Sequence, residues 1–204
     1  MNTIKEKINK ILNNFDKEFT PIKVYGKNYL KYCSIIDTDN SIKIGHNPII
    51  APHNYMIVLY EGITKNWIGK FKTNTKINIP EIYQNVLLKI NGFFIFDMVI
   101  YGLTPSLYNT KLLDRTMQQC MSLDHANTHW IKEYNLNKKL FHFGSRAYND
   151  EENIGYFLNE KKIQTILRNG KIINEYKNIK EFFEEEIKTS EKIYLKENDI
   201  KELC

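Results

Sequence analysis

The sequence predicts an α+β fold in which helices pack against a twisted, mainly antiparallel sheet. Three stretches of the 204-residue chain carry this prediction. Residues 140–187 alternate short apolar runs with turn-forming residues and end in an amphipathic helix, which is the pattern of an antiparallel meander closed by a helix. Residues 79–102 have the pattern helix, turn, strand, turn. Residues 3–71 have an amphipathic helix followed by short β-like runs.

The C-terminal stretch contains the strongest hairpin signal in the chain. An aromatic strand over residues 141–143 should end at Gly144. The next predicted segments are a polar loop over 145–153, a strand over 154–158, a turn over 159–161, a strand over 162–168 and its returning partner over 171–176. Asn169-Gly170 predicts a two-residue type I′ turn between the last two strands, because both residues tolerate positive φ.

That turn determines which residues of the two strands face each other. The predicted pairs are Arg168 with Lys171, Leu167 with Ile172, Ile166 with Ile173 and Thr165 with Asn174. Because successive side chains point to opposite faces of a strand, the hairpin should be covered on part of both faces.

A helix should follow the hairpin. Asn178 is predicted to cap it, and Glu181 at the third helical position completes a capping-box pattern. The apolar side of the helix consists of Phe182, Phe183 and Ile187. The glutamates at 184–186 should remain in solvent.

The second stretch predicts a helix and a long strand. Pro80 stands at a first-turn position, where its missing N–H costs no hydrogen bond. The apolar stripe of this helix consists of Ile82, Val86 and Ile90, with Tyr83 and Leu87 beside it. Asn91-Gly92 should end the helix, because both residues accept left-handed backbone geometry. Residues 93–101 should then form one apolar strand, interrupted only by Asp97.

The chain is interpreted as a single domain over residues 1–204, in which 1–76 form an N-terminal helix and a β-rich portion. The N-terminal helix spans residues 3–18, where apolar residues recur at three- and four-residue steps, and Pro21 should end any continuation. The β-like runs cover residues 22–25, 29–36, 41–44, 55–60 and 67–71, with a proline-containing loop over 47–53.

Composition favours a soluble protein in a reducing compartment. The cysteines, Cys33, Cys120 and Cys204, match neither a metal-binding pair nor a disulfide framework. No apolar run approaches the roughly 18 residues of a membrane span, and lysines interrupt the apolar N-terminal positions, unlike in a signal peptide. A cytoplasmic location is expected. The net charge of +5 lies mostly in residues 1–76 as scattered lysines, which favours a solvated surface over a nucleic-acid site.

One short helix is predicted between the two stretches, over residues 125–134. Asp124 should cap it, and Trp130 and Tyr134 lie on one side at a four-residue step. Asn135 should end it.

The candidates for chemistry in this helix are His125 and His129. Four residues apart, they face one way and can bind Zn²⁺ with Asp124 or Cys120 as a further ligand, although Ala126 replaces the glutamate of H-E-x-x-H. Histidines bonded to backbone or water are the preferred interpretation, and nothing nearby activates Cys120 as a nucleophile. The sequence also lacks a phosphate-binding glycine loop and a nucleophile elbow. No catalytic, cofactor-binding or metal-binding residue is therefore predicted, and the chain is not expected to be an enzyme.

A charged loop between two strands is the candidate partner-binding site. Its candidate residues are Arg146, Tyr148, Asp150, Glu151 and Glu152. Binding residues gather on loops held by a rigid sheet. An acidic cluster, with residues 184–186 adjacent to it, can oppose a basic catalytic cleft, and complementary charge raises association rates. A solvated loop without a binding role is the preferred interpretation, and partner binding is the functional hypothesis beside it.

Four segments within residues 77–188 together resemble the SUKH superfamily, the Smi/Knr-like proteins named partly after a yeast regulator of cell-wall glucan synthesis. The segments are IPEIYQNVLLKINGFFIFDMVIYGL, HANTHWIKEY, LFHFGSRAYNDEENIGYF and NGKIINEYKNIKEFFEEE. The motifs that resemble the family are Pro80 and Tyr83 before Asn91-Gly92, then Tyr101-Gly102, Phe143-Gly144, Gly155-Tyr156-Phe157 and the final helix. Their order and spacing, rather than any single motif, carry the resemblance.

The resemblance implies an α+β domain that binds proteins and supplies no catalytic motif. The first hypothesis is an immunity protein that neutralises a cognate bacterial toxin by occluding it, without a cofactor. The alternative is an intracellular regulatory or scaffold protein of the cell-wall-regulator type. An enzymatic interpretation would require a metal at His125 and His129. The resemblance implies no particular contact residues, because partner contacts vary between members.

Overall fold

The computed structural model of the chain describes residues 2–37, 41–47, 54–104, 120–136, 140–160 and 162–197. Within these ranges the α-helices are α1 (Asn2–Asn13), α2 (Thr20–Tyr29), α3 (Lys65–Thr75), α4 (Glu81–Lys89), α5 (Leu123–Thr128) and α6 (Ile179–Glu197). The strands are β1 (Ile35–Ile36), β2 (Ser41–His46), β3 (Tyr55–Glu61), β4 (Ile90–Ile95), β5 (Met98–Ile100), β6 (Phe141–Ala147), β7 (Asn153–Asn159), β8 (Lys162–Leu167) and β9 (Ile172–Tyr176). Short 3-10 helices, Lys17–Phe19 and Trp130–Glu133, precede α2 and follow α5.

The nine strands form one sheet in which each strand pairs with the next along the chain, from β1 at one edge to β9 at the other. All the pairs are antiparallel. The predicted α+β fold with an antiparallel sheet is therefore confirmed. The runs predicted over residues 41–44 and 55–60 are β2 and β3, and those over 154–158 and 162–168 are β7 and β8. Residues 48–53 of the predicted proline-containing loop lie outside the described residues.

Two neighbouring rows of directly paired residues cross the whole sheet and define its faces. The first row is Ile36, Ile42, Leu59, Phe93, Ile100, Gly144, Tyr156, Thr165 and Asn174. The second row is Ile35, Lys43, Val58, Phe94, Val99, Ser145, Gly155, Ile166 and Ile172. Opposed residues of antiparallel strands point to the same side and successive residues to opposite sides, so the rows lie on opposite faces. From β2 to β8 the first row is buried.

Helices cover the face of the first row. Phe143 of β6 contacts Tyr83 of α4 and Phe182 of α6, with ring centroids 5.2 and 5.4 Å apart. Phe183 of α6 contacts Phe93 of β4 at 5.5 Å. All five side chains are fully buried, and burial of one such side chain contributes about 1.5–3 kcal/mol. The helix α6 therefore packs on both β4 and β6, in the middle of the sheet.

The predicted C-terminal helix is confirmed as α6. The backbone N–H of Glu181 donates to Asn178 Oδ1 at 2.9 Å, so Asn178 caps the helix as predicted. The Glu181 carboxylate accepts from the backbone N–H of Lys177 at 3.0 Å, one residue before the cap. The predicted apolar side of the helix is fully buried.

The first third of the chain is more helical than predicted. Residues 22–25 and 67–71 lie in α2 and α3, and only the last two residues of 29–36 form a strand. Pro21 stands in the first turn of α2, where a missing N–H costs nothing, instead of ending the preceding helix at its own position. The helix α1 ends earlier, at Asn13. Burial of one side of each helix outweighs the strand preference of its β-branched and aromatic residues.

The prediction of one long strand over residues 93–101 is wrong, because the chain reverses in its middle. Phe96 and Asp97 form the turn between β4 and β5, and Phe96 has a φ of 52°. A positive φ is strained for a bulky residue. Several contacts hold Phe96 there, among them the bond from its N–H to Met56 O at 2.7 Å and the packing of its buried ring on Tyr29 at 5.2 Å.

Asn91 and Gly92, predicted to end the helix, lie inside β4. The helix already ends at Lys89, and Gly92 has a φ of 78°. A Cβ on Gly92 would lie 2.6 Å from Ile100 O, so the strand pairing itself requires glycine here. The Asn91 side chain bonds both the N–H and the C=O of Leu103 at 2.7 Å, which fixes the chain after β5.

The predicted hairpin of β8 and β9 is present, but its turn is longer than predicted. The N–H of Gly170 donates to Leu167 O at 2.9 Å, and the N–H of Leu167 donates to Lys171 O at 3.0 Å. The loop therefore has three residues and ends in a left-handed glycine, with a φ of 87° at Gly170. The predictions that Arg168 faces Lys171 and that Leu167 faces Ile172 are wrong.

A second irregularity in the hairpin restores the predicted register. Ile166 pairs with Ile172 instead of Ile173, and the register then shifts so that Thr165 pairs with Asn174, as predicted. The strand β8 is buried on both faces from its second residue onward, which confirms that part of the prediction. On β9, by contrast, Ile172 is 50% exposed.

Candidate partner-binding surface

The helices of the described residues leave the face of the second row, here called the open face, partly uncovered. From β2 to β6 its members are half-buried, whereas their first-row neighbours are buried; these members are Lys43, Val58, Phe94, Val99 and Ser145. Tyr60 adds a second half-buried aromatic ring, 6.3 Å from that of Phe94. These side chains form a strip from β2 to β6, here called the open strip. Its partly exposed apolar side chains, Val58, Tyr60, Phe94 and Val99, lie side by side, and apolar and aromatic side chains of this kind are common in protein-binding sites.

Residues 120–136 cover the rest of the open face over β6 to β8. The Tyr134 ring packs on that of Phe157 at 4.9 Å. Asn127 binds the start of β6, because its Nδ2 donates to His142 O at 2.7 Å and its Oδ1 accepts from His142 N at 3.0 Å. The side-chain amide thereby takes the place of a neighbouring strand.

The helix predicted over residues 125–134 is divided into two parts within this segment. The helix α5 ends at Thr128, and the 3-10 helix follows. The helix begins after Ser122 and not after Asp124, and the Ser122 hydroxyl donates to the Asp124 carboxylate. The prediction that Asp124 caps the helix is wrong.

A groove opens where the covered and uncovered parts of the open face meet. It has a volume of about 230 Å³, and six of its lining residues are Tyr101, Trp130, Glu133, Tyr134, Ser145 and Arg168. The ring centroids of Tyr101 and Trp130 are 5.3 Å apart, and the Tyr101 hydroxyl donates to Ser145 Oγ at 2.8 Å. Burial raises the pKa of Tyr101 to about 12, so its ring is neutral at physiological pH.

An ion pair lies in the groove. Arg168 Nη2 is 3.1 Å from Glu133 Oε2, and the two side chains are 56% and 47% exposed. An exposed pair of this kind contributes about 0–1 kcal/mol, so it can open at little cost. The Arg168 carbonyl accepts from the N–H of Asn135 at 2.8 Å, which fixes the end of β8 against the segment that follows the 3-10 helix.

The predicted acidic loop joins β6 to β7 and is tightly organised. Asn149 Oδ1 accepts from the N–H groups of Glu151 and Glu152 at 2.9 and 2.8 Å. The N–H of Tyr148 donates to Glu152 O at 2.8 Å. The side chains of Tyr148, Asp150 and Glu151 are exposed, and that of Glu152 is partly exposed. The loop therefore presents its charges from a fixed backbone.

The acidic loop and the groove lie within electrostatic range of each other. Asn153, directly after the loop, lines the groove. Burial is the largest cause of the raised pKa of Tyr134, and the negative charges of Glu133 and Glu152 raise it further. The structure thus brings Glu152, one of the predicted acidic residues, within range of the groove.

Arg146 lies outside this surface, although it is a predicted partner-binding residue. The strand β6 continues through Gly144 to Ala147, so the predictions that the strand ends at Gly144 and that a loop begins at 145 are wrong. Gly144 permits close strand pairing, because a Cβ there would lie 2.5 Å from Val99 O. Arg146 points under the helices, is 4% exposed and has no surface to offer a partner.

The Arg146 guanidinium instead pairs with Glu186 of α6, at 2.6 Å between Nε and Oε2. The Tyr176 hydroxyl donates to the other carboxylate oxygen, at 2.5 Å. Glu186 is fully buried, so the prediction that residues 184–186 all stay in solvent is wrong for this residue. Glu184 and Glu185 are exposed.

The residues considered for chemistry lie in different environments. Cys120 is buried, and burial raises the pKa of its thiol to about 12, so it remains protonated. His125 and His129 are exposed and stacked, with ring centroids 4.5 Å apart. His142, at the base of the groove, is buried, and burial lowers its pKa to about 4. Among the described residues, no group of three or more His, Cys, Asp or Glu is placed to hold a metal ion.

The sequence does not predict the groove. Trp130 and Tyr134 are predicted to share one side of a helix, and both line it. Glu133 belongs to the same predicted helix, but Tyr101 and Arg168 come from two other parts of the chain, and nothing in their spacing indicates that they meet. The one available signal is the accumulation of aromatic residues on both sides of the short helix.

No protein-family model matches the chain, and neither a curated protein nor a solved structure matches it. The resemblance of residues 77–188 to the SUKH superfamily therefore stays a prediction. None of the helices in the described ranges is long and apolar enough to cross a membrane.

Proposed function

We propose that the protein is a non-enzymatic protein-binding domain, and specifically an immunity protein that neutralises a cognate toxin by occluding it. The observation that carries the proposal is the open strip with the acidic loop at one end. The strip offers apolar and aromatic contact area on a sheet that is fixed from behind by helices. A preorganised surface loses little conformational entropy on binding.

The two parts of the surface have different roles in this proposal. Half-buried side chains such as Phe94 and Val99 lose their last contact with water when the partner docks, which supplies affinity. The carboxylates of Asp150, Glu151 and Glu152 attract a basic partner and orient its approach. The partner is occluded sterically, so neither turnover nor a cofactor is required.

Co-expression tests this function directly. The protein is produced together with each product of its neighbouring genes, and co-purification and survival of the producing cells are scored. The proposal expects one toxic neighbour whose product co-purifies and loses its toxicity. If no neighbouring product is both toxic and neutralised, the immunity role fails.

A further inference from the structure

We infer that the groove formed by Tyr101, Trp130 and Glu133 holds a basic side chain, arginine or lysine, of the protein partner. The inference rests on the proposed function, because the occupant belongs to a bound protein. It adds to that function a defined anchor point beside the open strip, with a defined chemistry.

The walls of the groove suit a cation. Tyr101, Trp130 and Tyr134 contribute aromatic rings to one cavity. An ammonium or guanidinium group within about 6 Å of such a ring is attracted to its negative face, most strongly for Trp. Both tyrosines stay neutral, because burial raises the pKa of each hydroxyl. His125 packs edge-on against Trp130 at 4.9 Å and supports that ring from the side of α5.

The charges around the groove favour the same occupant. Glu133 lines the cavity, and Glu152 acts on Tyr134 from the adjoining loop. Asp150 and Glu151 extend the negative charge along that loop. Among the lining residues Glu133 is paired with Arg168, so the excess negative charge near the groove comes from the adjoining loop. A basic side chain is therefore attracted from a distance and paired at close range.

Arg168 shows that the groove accepts a guanidinium. Its Nη2 already lies 3.1 Å from the Glu133 carboxylate. Because both side chains are about half exposed, this pair is weak, and a second cation can replace Arg168 at Glu133. Arg168 would then swing into solvent from the end of β8. Removal of Arg168 should consequently strengthen the binding of a basic side chain.

Three short peptides test the groove without the natural partner. The probes are acetyl-Gly-Arg-Gly-amide, the same peptide with neutral citrulline, and the same peptide with glutamate. A Trp67→Phe background leaves Trp130 as the single tryptophan, so its fluorescence and its indole N–H resonance report on the groove alone. The arginine peptide should give a saturable change with an affinity at least about threefold above that of the citrulline peptide.

Variants in the same background decide whether the groove is responsible. Glu133→Gln should weaken binding of the arginine peptide at least about threefold, and Arg168→Gln should strengthen it. Glu184→Gln, an exposed change on α6, is the matched control and should change nothing. Equal binding of the arginine and citrulline peptides would overturn the inference, and so would preferred binding of the glutamate peptide, which would show that Arg168 captures an anion.

The peptide titration and the co-expression test have independent outcomes, so a failure of one hypothesis can be told from a failure of the other. If a neighbouring toxin is neutralised but no arginine peptide binds near Trp130, the groove inference alone is overturned. If the arginine peptide binds as expected but no neighbouring product is neutralised, the immunity role alone fails and the assignment of the groove stands.

Discussion

Arg146 and Glu186 form a buried ion pair that joins β6 to α6. Their ion pair is 4% and 1% exposed, and Tyr176 donates to the same carboxylate. Burial and then the charge of Glu186 raise the pKa of Tyr156 and Tyr176, so both hydroxyls stay protonated beside it. A buried charge is stable only while its partner remains.

The change Glu186→Gln should therefore destabilise the protein strongly, by about 3–5 kcal/mol, because it leaves the Arg146 guanidinium buried without a counter-charge. Urea unfolding followed by circular dichroism measures the difference. The control is Glu185→Gln, at the exposed neighbouring position, for which a change within about 0.5 kcal/mol is expected. A loss below about 1 kcal/mol for Glu186→Gln would contradict this account of the pair.

Asp97 should make stability fall as pH rises. Burial is the largest cause of its raised pKa, from 3.8 to about 6; Glu197 adds to the shift and Arg146 opposes it. The folded protein thus binds the proton more tightly than the unfolded chain does. The contribution of Asp97 to stability is fully present below pH 3.8 and is lost as pH rises through about 6.

The change Asp97→Asn removes this titration. The variant should gain about 1 kcal/mol relative to the parent between pH 4 and pH 7, after allowance for the partial exposure of the group. Thermal unfolding of both proteins across that range measures the difference in stability. The other carboxyl groups titrate alike in both proteins, so their contributions cancel in that difference. A difference that stays constant with pH would show that Asp97 has an ordinary pKa.

Sequence patterns predict buried apolar residues better than buried charges. Phe182, Phe183 and Ile187 follow from their helical spacing, and all are fully buried. Glu186 lies in a run of three glutamates, and a periodicity argument assigns the whole run to solvent. Its partner Arg146 is 40 residues away, so only the tertiary fold shows that the two charges neutralise each other.

At the scale of elements, the sequence identifies most helices and strands but not the turns that orient them. Asn-Gly at 91–92 is a helix-end signal that occurs inside β4, and Asn-Gly at 169–170 belongs to a three-residue loop instead of a type I′ turn. In both places a contact with a distant strand or loop decides the geometry. Local propensity contains no information about that contact.

The turn of the β8–β9 hairpin is supported by the segment beside the groove. Gly170 has a φ of 87°, and a Cβ there would lie 2.2 Å from Asn135 O. The change Gly170→Ala should therefore cost more than about 1 kcal/mol, since it combines backbone strain with a steric clash. Denaturant unfolding gives the value.

Gly69 provides the matched control for this substitution. It is an exposed helical glycine in α3, and a Cβ there would meet nothing within 4 Å. Gly69→Ala should stabilise the protein by up to about 1 kcal/mol, through helix propensity alone. If Gly170→Ala stabilises the protein as Gly69→Ala does, the left-handed turn at Gly170 is not a constraint.

The acidic loop should control how fast the partner binds. The variant Asp150→Lys/Glu151→Lys reverses two exposed charges on a rigid turn and should lower the association rate at least about tenfold at low salt, with a smaller effect at high salt. Stopped-flow association with the toxin found by co-expression measures the rate. Glu184→Lys/Glu185→Lys makes the same charge change on α6 and should have little effect. Equal effects of the two variants would remove the loop from the interface.

At the scale of the whole molecule, the α+β fold follows from the sequence because consecutive strands pair with one another. Pairing between consecutive strands can be predicted from nearby residues, which show turn signals and alternating apolar positions. The open strip does not follow in the same way. It consists of one or two residues from each of several strands, and only the register across the sheet brings Val58, Phe94 and Val99 side by side.

The central claim is that the open face docks a protein partner, and the most direct measurement is the affinity of that partner for an open-strip variant. Phe94→Glu places a charge in the middle of the strip and should weaken binding at least about tenfold, or about 1.4 kcal/mol. The control is Val24→Glu, at an exposed position on α2, where Val24 is 46% exposed. Calorimetry on folded variants should show loss for Phe94→Glu and parental affinity for Val24→Glu. Parental affinity for Phe94→Glu, or loss confined to Val24→Glu, would contradict the claim.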